Sequence, residues 1–275
     1  MFKKVVIAGR SDIEDSIKLA EKIAKFLSEK GLKVTFEDNI ASKLGFKGEP
    51  LNIAEGDLVV VIGGDGTVLR VLHAMPNKIP IFAVKMGRIG FFAETAPENV
   101  FTDLGKVLDG KFFYEEHFLL KTNLNLPEAL NEVRIGTLIP QQMVEVSVLV
   151  DNSQIAKDRV DAVVISTPVG SSAYALSAGA SIVNPEIEAI IITPICPLSS
   201  NFKSHVIPPK SIVTVILENE MDYLILIDGQ IRKELSGRQE IKIWRSEKKI
   251  SFVRVRKSFY ERLKRRLKTS SVNFN

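Results

Sequence analysis

Apolar positions in the first 110 residues follow two patterns, short continuous runs and helical spacing. The continuous runs are typical of strands that are buried on both faces, and they occupy residues 4–8, 34–36, 58–62 and 79–84. The first helical pattern passes through Ile13, Ile17, Ala20, Ala24 and Leu27. Gly31 ends this helix, and further helices are predicted from about Thr67 and over residues 100–108. Strands that alternate with helices predict a parallel, doubly wound α/β layer.

After about residue 112 the pattern changes to short β-like runs with few helices between them. These runs occupy residues 118–124, 144–150, 162–166, 190–193, 213–217, 224–227, 239–244 and 250–254. They predict a β-rich second domain. Near the end, Phe259, Leu263 and Leu267 recur every four residues, which indicates a helix with one apolar face. We therefore expect an α/β domain over residues 1–111, a β-rich domain over 112–256 and a helical segment over 257–275.

The composition is that of a globular protein, with 45% hydrophobic and 25% charged residues among 275. No apolar run approaches the roughly 18 residues of a membrane helix, and the residues after Met1 show no secretory signal. The single cysteine, Cys196, fits a reducing compartment, so we expect a cytoplasmic protein.

The net charge of +4 is unevenly distributed. Residues 254–268 contain eight basic side chains and one acidic side chain. Such a segment could contact nucleic acid or an anionic membrane. Because no aromatic residues alternate with the basic ones and no known binding motif is present, we interpret these positions as a solvated helix face. We expect neither nucleic acid nor a membrane as a partner.

The most informative stretch for chemistry follows the apolar run at 58–62. It reads Gly63, Gly64, Asp65, Gly66 and Thr67. Glycine lets a backbone approach a ligand closely, and amides at the start of a helix suit a phosphate. Asp65 could then take a proton from a hydroxyl group or bind a metal ion near a polyphosphate. A tight strand-to-helix turn, with Asp65 as the helix N-cap, explains the same residues.

Later segments also combine turn residues with groups that bind ligands. Residues 85–92 place two glycines and an arginine before Phe91 and Phe92, which suits either a ligand loop or a turn with both rings in the core. Residues 166–177 combine hydroxyl groups with small side chains, against which a flat ligand can lie. The Gly-X-Ser-X-Gly motif of serine hydrolases is missing, and His73, His117 and His205 have no triad context. No cluster has metal-ligand spacing, so we expect no metal site formed by protein side chains.

Together these segments resemble the NAD kinase family over nearly the whole chain. Gly-Gly-Asp-Gly-Thr at 63–67 is shared with diacylglycerol and sphingosine kinases and with phosphofructokinases. The narrower resemblance rests on residues 87–91, 131–132, 166–174, 193–197 and 228–230. Two positions depart from the family pattern: Lys85 stands where Asn is common, and Leu198 where many members have His.

The resemblance implies a phosphotransferase with an alcohol group as acceptor. ATP or another donor, carrying Mg²⁺, would phosphorylate the 2′-hydroxyl of the adenosine ribose of NAD and give NADP. Asp65 would be the general base, and Arg70 would help with the phosphate charge. The phosphate loop would comprise Gly63, Gly64, Gly66 and Thr67. NAD would contact Asp65, Gly66, Arg70, Phe91, Asn131, Glu132, Arg159, Asp161, Ser172, Ala173, Tyr174, Ala175, Leu176, Ser177, Cys196 and Gln230.

The resemblance also implies the arrangement of the protein. NAD would bind where the two domains meet, the C-terminal segment would return to the first domain, and the protein would be a homodimer or a homotetramer. Two other functions remain open. The basic C-terminal segment favours a lipid kinase of the same superfamily, whereas the match at residues 166–174 argues against it. The presence of Asp65 argues against a regulatory nucleotide-binding module that has lost catalysis.

Overall fold

A computed structural model of the chain describes residues 2–75, 79–86, 90–139, 142–257 and 259–270. These residues form two compact units. Unit 1 contains the described residues up to Glu116 and those from Ile250 onwards, and unit 2 contains the described residues from His117 to Lys249. The predicted motif residues Gly87, Arg88 and Ile89 lie outside the described residues.

Unit 1 begins with alternating strands and helices. They are β1 (Lys4–Gly9), α1 (Glu14–Glu29), β2 (Lys33–Phe36), α2 (Asp38–Leu44), β3 (Leu58–Gly63), α3 (Asp65–Ala74), β4 (Ile81–Lys85) and α4 (Val100–Leu108), with a short 3₁₀ turn over Pro97–Asn99. The four strands pair in parallel in the order β2-β1-β3-β4. The apolar runs predicted as buried strands therefore form the sheet, which confirms the α/β class.

Helix α1 packs on this sheet with a face that coincides only partly with the predicted one, since Ala20 and Leu27 are buried whereas Ile13, Ile17 and Ala24 are half-buried. Its buried residues include Leu19, Ala20, Ile23 and Leu27, which pack with the strands in one core. Helix α2 was not predicted from the sequence. Because it has only seven residues, it is too short to show a periodic apolar pattern. Its buried residues are Ile40 and Ala41.

Unit 2 consists almost entirely of strands. The elements from Phe113 onwards are β5 (Phe113–Thr122), β6 (Glu132–Thr137), β7 (Val144–Val150), β8 (Ser153–Val160), β9 (Ala162–Ser166), α5 (Tyr174–Ser177), β10 (Ile190–Ile195), β11 (His205–Ile207), β12 (Val213–Leu217), β13 (Asp222–Ile227), β14 (Ile231–Ser236) and β15 (Gln239–Arg254). One series of antiparallel neighbours runs β15-β12-β7-β8, and another runs β11-β10-β9-β6-β13-β14. Their apolar faces share one core, as Val146, Val215 and Ile225 illustrate. The predicted β-rich class is confirmed.

The unit boundaries differ from the expected residues 111 and 256, because they lie inside β5 and β15. The end of β15 pairs with β4, where Phe252 is opposite Ile81, so residues 250–254 belong to unit 1. The sequence indicated two strands here because the polar residues Glu247, Lys248 and Lys249 interrupt the apolar pattern, and the structure shows these three residues exposed. The backbone nevertheless stays extended through them as one strand.

The last helix, α6 (Phe259–Ser270), belongs to unit 1, as the predicted return to the first domain requires. The ring of Phe259 lies 5.7 Å from the ring of Phe91. The expected packing face is wrong in two respects. Leu267 is 43% exposed, whereas Arg262 is 1% exposed and Arg254 is fully buried. Both arginines bind the carboxylate of Glu115, so part of the basic segment is internal rather than solvated.

Candidate active site

The Gly-Gly-Asp-Gly-Thr motif forms the turn between β3 and α3. Helix α3 begins at Asp65, two residues before the predicted start at Thr67, and Gly64 is its N-cap. A Cβ atom on Gly63 would overlap the hydroxyl of Thr67, so only glycine fits at the end of this strand. Because Gly64 occupies the capping position, the structure does not support the interpretation of Asp65 as an N-cap.

The carboxylate of Asp65 is oriented by the loop that follows β4. The backbone amide of Phe91 donates to Oδ2 at 2.9 Å, and that of Phe92 donates to Oδ1 at 3.0 Å. Asp65 itself is half-buried. A carboxylate held in this way can accept a proton from a ligand hydroxyl when the geometry allows.

A cleft of about 800 Å³ opens beside Asp65 within unit 1. Its walls include Gly64 between β3 and α3, Gly66, Thr67 and Arg70 of α3, and residues 9–13 at the end of β1 and just after it. All these positions follow the carboxyl ends of parallel strands, where α/β sheets bind ligands. The volume is in the usual range of about 300–1,000 Å³ for small-molecule sites. Gly63 is buried at the end of β3, so of the predicted phosphate loop only Gly64, Gly66 and Thr67 face the cleft.

Arg70 is held in the cleft wall by a carboxylate that sequence reasoning missed. Its guanidinium binds Glu37 through both terminal nitrogens, with Nη2 2.9 Å from Oε2, and Nη2 also donates to the carbonyl of Gly9 at 3.0 Å. Glu37 is buried and also accepts from the amide of Gly9 at 3.2 Å. An acidic residue directly after β2 was the available signal. Its partner lies 33 residues away, which local spacing does not reveal.

Phe91 contributes backbone rather than ring to the site. Its side chain is buried, and Arg262 lies 5.6 Å from the ring centroid on the side of helix α6. Phe92 is also buried, with its ring stacked on Phe252 at 5.1 Å. The buried rings confirm the interpretation of these two phenylalanines as core residues, whereas a ligand loop over residues 85–92 stays a prediction.

In unit 2 a second group of predicted residues is organised by Asp228. Its carboxylate accepts the amides of Leu130, Asn131 and Glu132 at 2.8, 2.7 and 3.0 Å. Asp228 has a φ of 51°, a conformation that aspartate tolerates better than most residues. The pair Asn131–Glu132, uninformative in the sequence alone, is therefore fixed by a carboxylate almost 100 residues later in the chain.

The segment 166–177 lies against the same pair. The amide of Thr167 donates to the carbonyl of Asn131 at 2.9 Å, and a Cβ atom on Gly170 would overlap that carbonyl oxygen. The hydroxyl of Ser172 is buried and donates to the carbonyl of Val169 at 3.0 Å. Ala175 is fully buried in a small core with Val164 and Ile191.

The other predicted residues of this segment differ in exposure. Ala173 and Leu176 are half-buried, whereas Tyr174 and Ser177 are exposed. Small and hydroxyl side chains, which the sequence suggested as one continuous wall, thus divide between the interior and the surface. Residues three apart lie on the same face of a helical turn, so Tyr174 and Ser177 share the exposed side of α5 while Ala175 faces the interior.

Arg159, Asp161 and Cys196 lie close together at the ends of β8, β9 and β10. The amide of Asp161 donates to the carbonyl of Ile195 at 3.0 Å. Cys196 is exposed and has a φ of 48°. A hydrogen bond to the Asp161 carboxylate, and then its charge, raise the pKa of the Cys196 thiol. Leu198, one of the two departures from the family pattern, donates its amide to the carbonyl of Arg159 at 2.9 Å.

Gln230 follows Asp228 in the turn between β13 and β14. Its side chain is exposed, and its amide donates to the carbonyl of Ile227 at 2.9 Å. Throughout the described part of the chain, no three His, Cys, Asp or Glu side chains converge as a metal site would require. No described helix has both the length and the apolar composition needed to cross a membrane.

Two family models match most of the chain. The ATP-NAD kinase N-terminal domain matches residues 5–112, and the ATP-NAD kinase C-terminal domain matches residues 130–255. Among curated relatives, the NAD kinase of Methanothermobacter thermautotrophicus is 36% identical over 271 residues, which cover 96% of each chain. The NAD kinase of Methanosphaera stadtmanae is 37% identical and covers 96% of this chain and 98% of the relative.

Solved structures agree with these matches. An NAD kinase from Archaeoglobus fulgidus in complex with ATP has a TM-score of 0.82 and 26% identity, covering 95% of this chain and 99% of its own. Yeast NADH kinase complexed with NADH has a TM-score of 0.86 and 21% identity, covering 99% of this chain and 89% of its own, and shows the fold alone. With both domain models matched and relatives more than a third identical along nearly its full length, the chain belongs to the ATP-NAD kinase family.

Proposed function

We propose that this chain transfers a phosphoryl group from ATP to the 2′-hydroxyl of the adenosine ribose of NAD, giving NADP. The observation that carries the proposal is the Asp65 carboxylate, which two backbone amides orient beside the cleft at the start of α3. The relatives named NAD kinase, which match this chain along nearly their full length, supply the identity of the acceptor.

In the reaction, Asp65 accepts the proton of the ribose 2′-hydroxyl while the 2′-oxygen of the ribose forms a bond to the γ-phosphorus of ATP. The bond from that phosphorus to the β,γ-bridging oxygen breaks, and ADP leaves. Phosphoryl transfer depends mainly on positioning and on offsetting charge. The amides at the start of α3 suit the donor phosphates, and Mg²⁺ enters with the donor as part of the substrate. A positioned base such as Asp65 contributes about 10²–10⁴-fold to the rate.

Arg70 contributes a positive charge at the cleft, although Glu37 offsets much of it. The buried carboxylate holds the guanidinium in one orientation, so no side-chain entropy is lost when a phosphate arrives. The remaining N–H groups of Arg70 are the ones we assign to the substrate. In this role Arg70 acts as a directed hydrogen-bond donor more than as a free charge.

Residues of unit 2 bind NAD in this proposal. Asn131 and Glu132, which Asp228 holds in place, contact the adenosine half. The wall at 172–177 receives the adenine and the ribose, with Tyr174 and Ser177 supplying exposed polar groups. We retain Arg159, Asp161, Ser172, Ala173, Leu176, Cys196 and Gln230 as further contacts from unit 2, and Gly66 and the backbone of Phe91 as contacts from unit 1. Ala175 is fully buried, so we no longer assign it a contact. We further infer that the protein is cytoplasmic and that it forms a homodimer or a homotetramer. Light scattering on the purified chain would test the oligomeric state.

The deciding experiment is incubation of the purified chain with NAD, ATP and Mg²⁺, followed by measurement of NADP with an NADP-specific dehydrogenase. We expect NADP to form only when all three are present. Parallel reactions with inorganic polyphosphate or NADH determine the donor and acceptor range. Phosphorylation of diacylglycerol or sphingosine in place of NAD would favour the lipid kinase, and nucleotide binding without any product would favour the regulatory module.

A further inference from the structure

Phe92 connects the candidate base to a distant part of the chain. Its amide donates to Asp65, and its carbonyl accepts a hydrogen bond from Nη1 of Arg254 at 2.8 Å. Arg254 is the last residue of β15, 162 residues after Phe92. The backbone that orients Asp65 is therefore held from its other side by a guanidinium of the C-terminal segment.

Arg254 is itself fixed on every side. Its Nη2 lies 2.7 Å from Glu115, its Nη1 lies 3.4 Å from Glu94, and its guanidinium lies 5.0 Å from the ring centroid of Phe252. A buried charge is stable only when it is paired and hydrogen-bonded, so this arrangement permits little displacement. Burial raises the pKa of Glu94, and the charge of Arg254 opposes that rise.

Helix α6 holds the neighbouring residue Phe91 in a similar way. The ring of Phe259 meets the ring of Phe91 edge-on at 5.7 Å. Arg262 lies over the same ring and donates to Glu115 at 2.7 Å. Glu115 therefore binds both Arg254 and Arg262, and Phe91 and Phe92, whose amides bind Asp65, are both in contact with the C-terminal segment.

We propose that Arg254 and Phe259 are positioning residues for Asp65. This proposal rests on the proposed function, because it assigns a kinetic consequence to their contacts. A general base must lie within hydrogen-bond reach of the proton that it accepts, and misplacement of a catalytic group by about 1 Å can cost about 10²-fold in rate. Arg254 fixes the carbonyl of Phe92 and Phe259 fixes the ring of Phe91, so together they determine where the Asp65 carboxylate lies. Neither residue lines the cleft.

The test compares Phe259→Ala, Arg254→Met and Arg254→Lys with Leu27→Ala, a core variant in α1 that touches none of these residues. Leu27 is fully buried, so its truncation lowers the melting temperature for an unrelated reason. All variants are assayed well below their melting temperatures. We expect kcat to fall about tenfold or more in Phe259→Ala and Arg254→Met, with KM for NAD and ATP changed less than about twofold. Arg254→Lys keeps a donor for the Phe92 carbonyl and recovers part of the rate. Leu27→Ala keeps kcat.

Hydrogen–deuterium exchange supplies a readout that does not depend on turnover. The amides of Phe91 and Phe92 should exchange faster in Phe259→Ala and Arg254→Met than in the unmodified protein or in Leu27→Ala. Unchanged exchange and unchanged kcat in both variants would overturn the proposal, as would an equal fall of kcat in Leu27→Ala. If the unmodified protein formed no NADP, the proposed function would fail, and the exchange comparison alone would decide whether these residues hold the Asp65 loop.

Discussion

Gly90 and Asp65 lie so close together that the loop tolerates no side chain at position 90. A Cβ atom on Gly90 would overlap Oδ1 of Asp65 and lie 3.1 Å from its Cγ. The loop backbone must approach the carboxylate closely for the amides of the next two residues to bind it, and this close approach requires glycine at position 90. The orientation of Asp65 is therefore built from a glycine, two amides and the residues that hold those amides.

This relationship predicts the effect of Gly90→Ala. The added methyl group must displace either the carboxylate or the loop, so we expect kcat to fall about tenfold or more. The matched control is Gly105→Ala in α4, where a Cβ atom meets nothing within 4 Å. That variant should keep its activity and gain up to about 1 kcal/mol of stability. Steady-state kinetics and thermal melting of both variants provide the measurement. Normal turnover in Gly90→Ala would show that the exact place of the carboxylate is unimportant.

The second prediction concerns Asp65→Asn. The amide has nearly the same size but cannot accept the proton, so we expect turnover to fall by about 10²-fold or more. NAD affinity, measured by calorimetry, should change far less. Asp57→Asn is the control, since Asp57 also accepts two backbone amides, from Lys3 and Lys4, but lies outside the cleft. Near-normal turnover of Asp65→Asn would remove the general-base assignment.

The third prediction concerns the half-buried Ala173 in the proposed adenine wall. Replacing it with Leu intrudes on a filled site, which typically costs about 1–3 kcal/mol, so the dissociation constant of NAD should rise at least about tenfold. Circular dichroism and thermal melting establish whether the variant is folded. A folded Ala173→Leu protein with unchanged NAD affinity would place the nucleotide elsewhere.

The fourth prediction uses the single cysteine as a reporter. Asp161 raises the pKa of the Cys196 thiol, so fewer molecules carry the reactive thiolate at pH 7.5. Asp161→Asn removes the negative charge and lowers that pKa towards its usual range. We expect iodoacetamide to alkylate Cys196 faster than in the unmodified protein, because a lower pKa raises the fraction of the thiol that is ionised. Mass spectrometry measures the rate.

The control for this experiment is Asp158→Asn, which removes a nearby carboxylate that binds the amide of Ser199 instead of the thiol. Its alkylation rate should equal that of the unmodified protein. Equal rates in Asp161→Asn and in the unmodified protein would mean that Asp161 does not control the thiol.

The fifth prediction separates the two parts of the basic C-terminal segment. The sequence predicts that Lys264, Arg265 and Arg266 belong to a solvated helix face. Converting them together to Gln should therefore leave NADP formation within about twofold, because surface substitutions usually change stability by about 0.5 kcal/mol or less each. Truncation before Phe259 should destabilise the protein, because it removes Arg262 from Glu115 and uncovers Phe91. Co-sedimentation with anionic vesicles tests the membrane alternative. Strong vesicle binding that the triple variant loses would favour a lipid-kinase function.

Several parts of the fold were predictable because they depend on local composition. The apolar runs became β1, β3, β7, β9 and β12, and helix α4 has the predicted bounds, Val100–Leu108. Strands β6, β8, β11 and β14 were missed. Strands β8 and β14 consist mostly of exposed and half-exposed residues that resemble loop composition, and β11 has only three residues. Strand β6 is largely buried between β9 and β13, but Glu132, Arg134 and Gly136 interrupt its apolar positions in the sequence. A strand at the edge of a sheet needs a neighbour to be recognised, and that neighbour is a tertiary property.

The candidate site likewise has features that are visible in the sequence and features that depend on tertiary contacts. The sequence by itself determined the glycine-rich turn after a buried strand, and from it predicted the chemistry of Asp65 and its neighbouring amides, because this pattern is recognisable without any partner. Only the tertiary structure decided how they are held: by Glu37 on Arg70, by Asp228 on the Asn131 amide, and by Arg254 on the Phe92 carbonyl. These contacts join residues between 33 and 162 positions apart. A charged side chain has the same local signature whether it is solvated or buried, and its burial becomes favourable only when the fold brings the opposite charge to it.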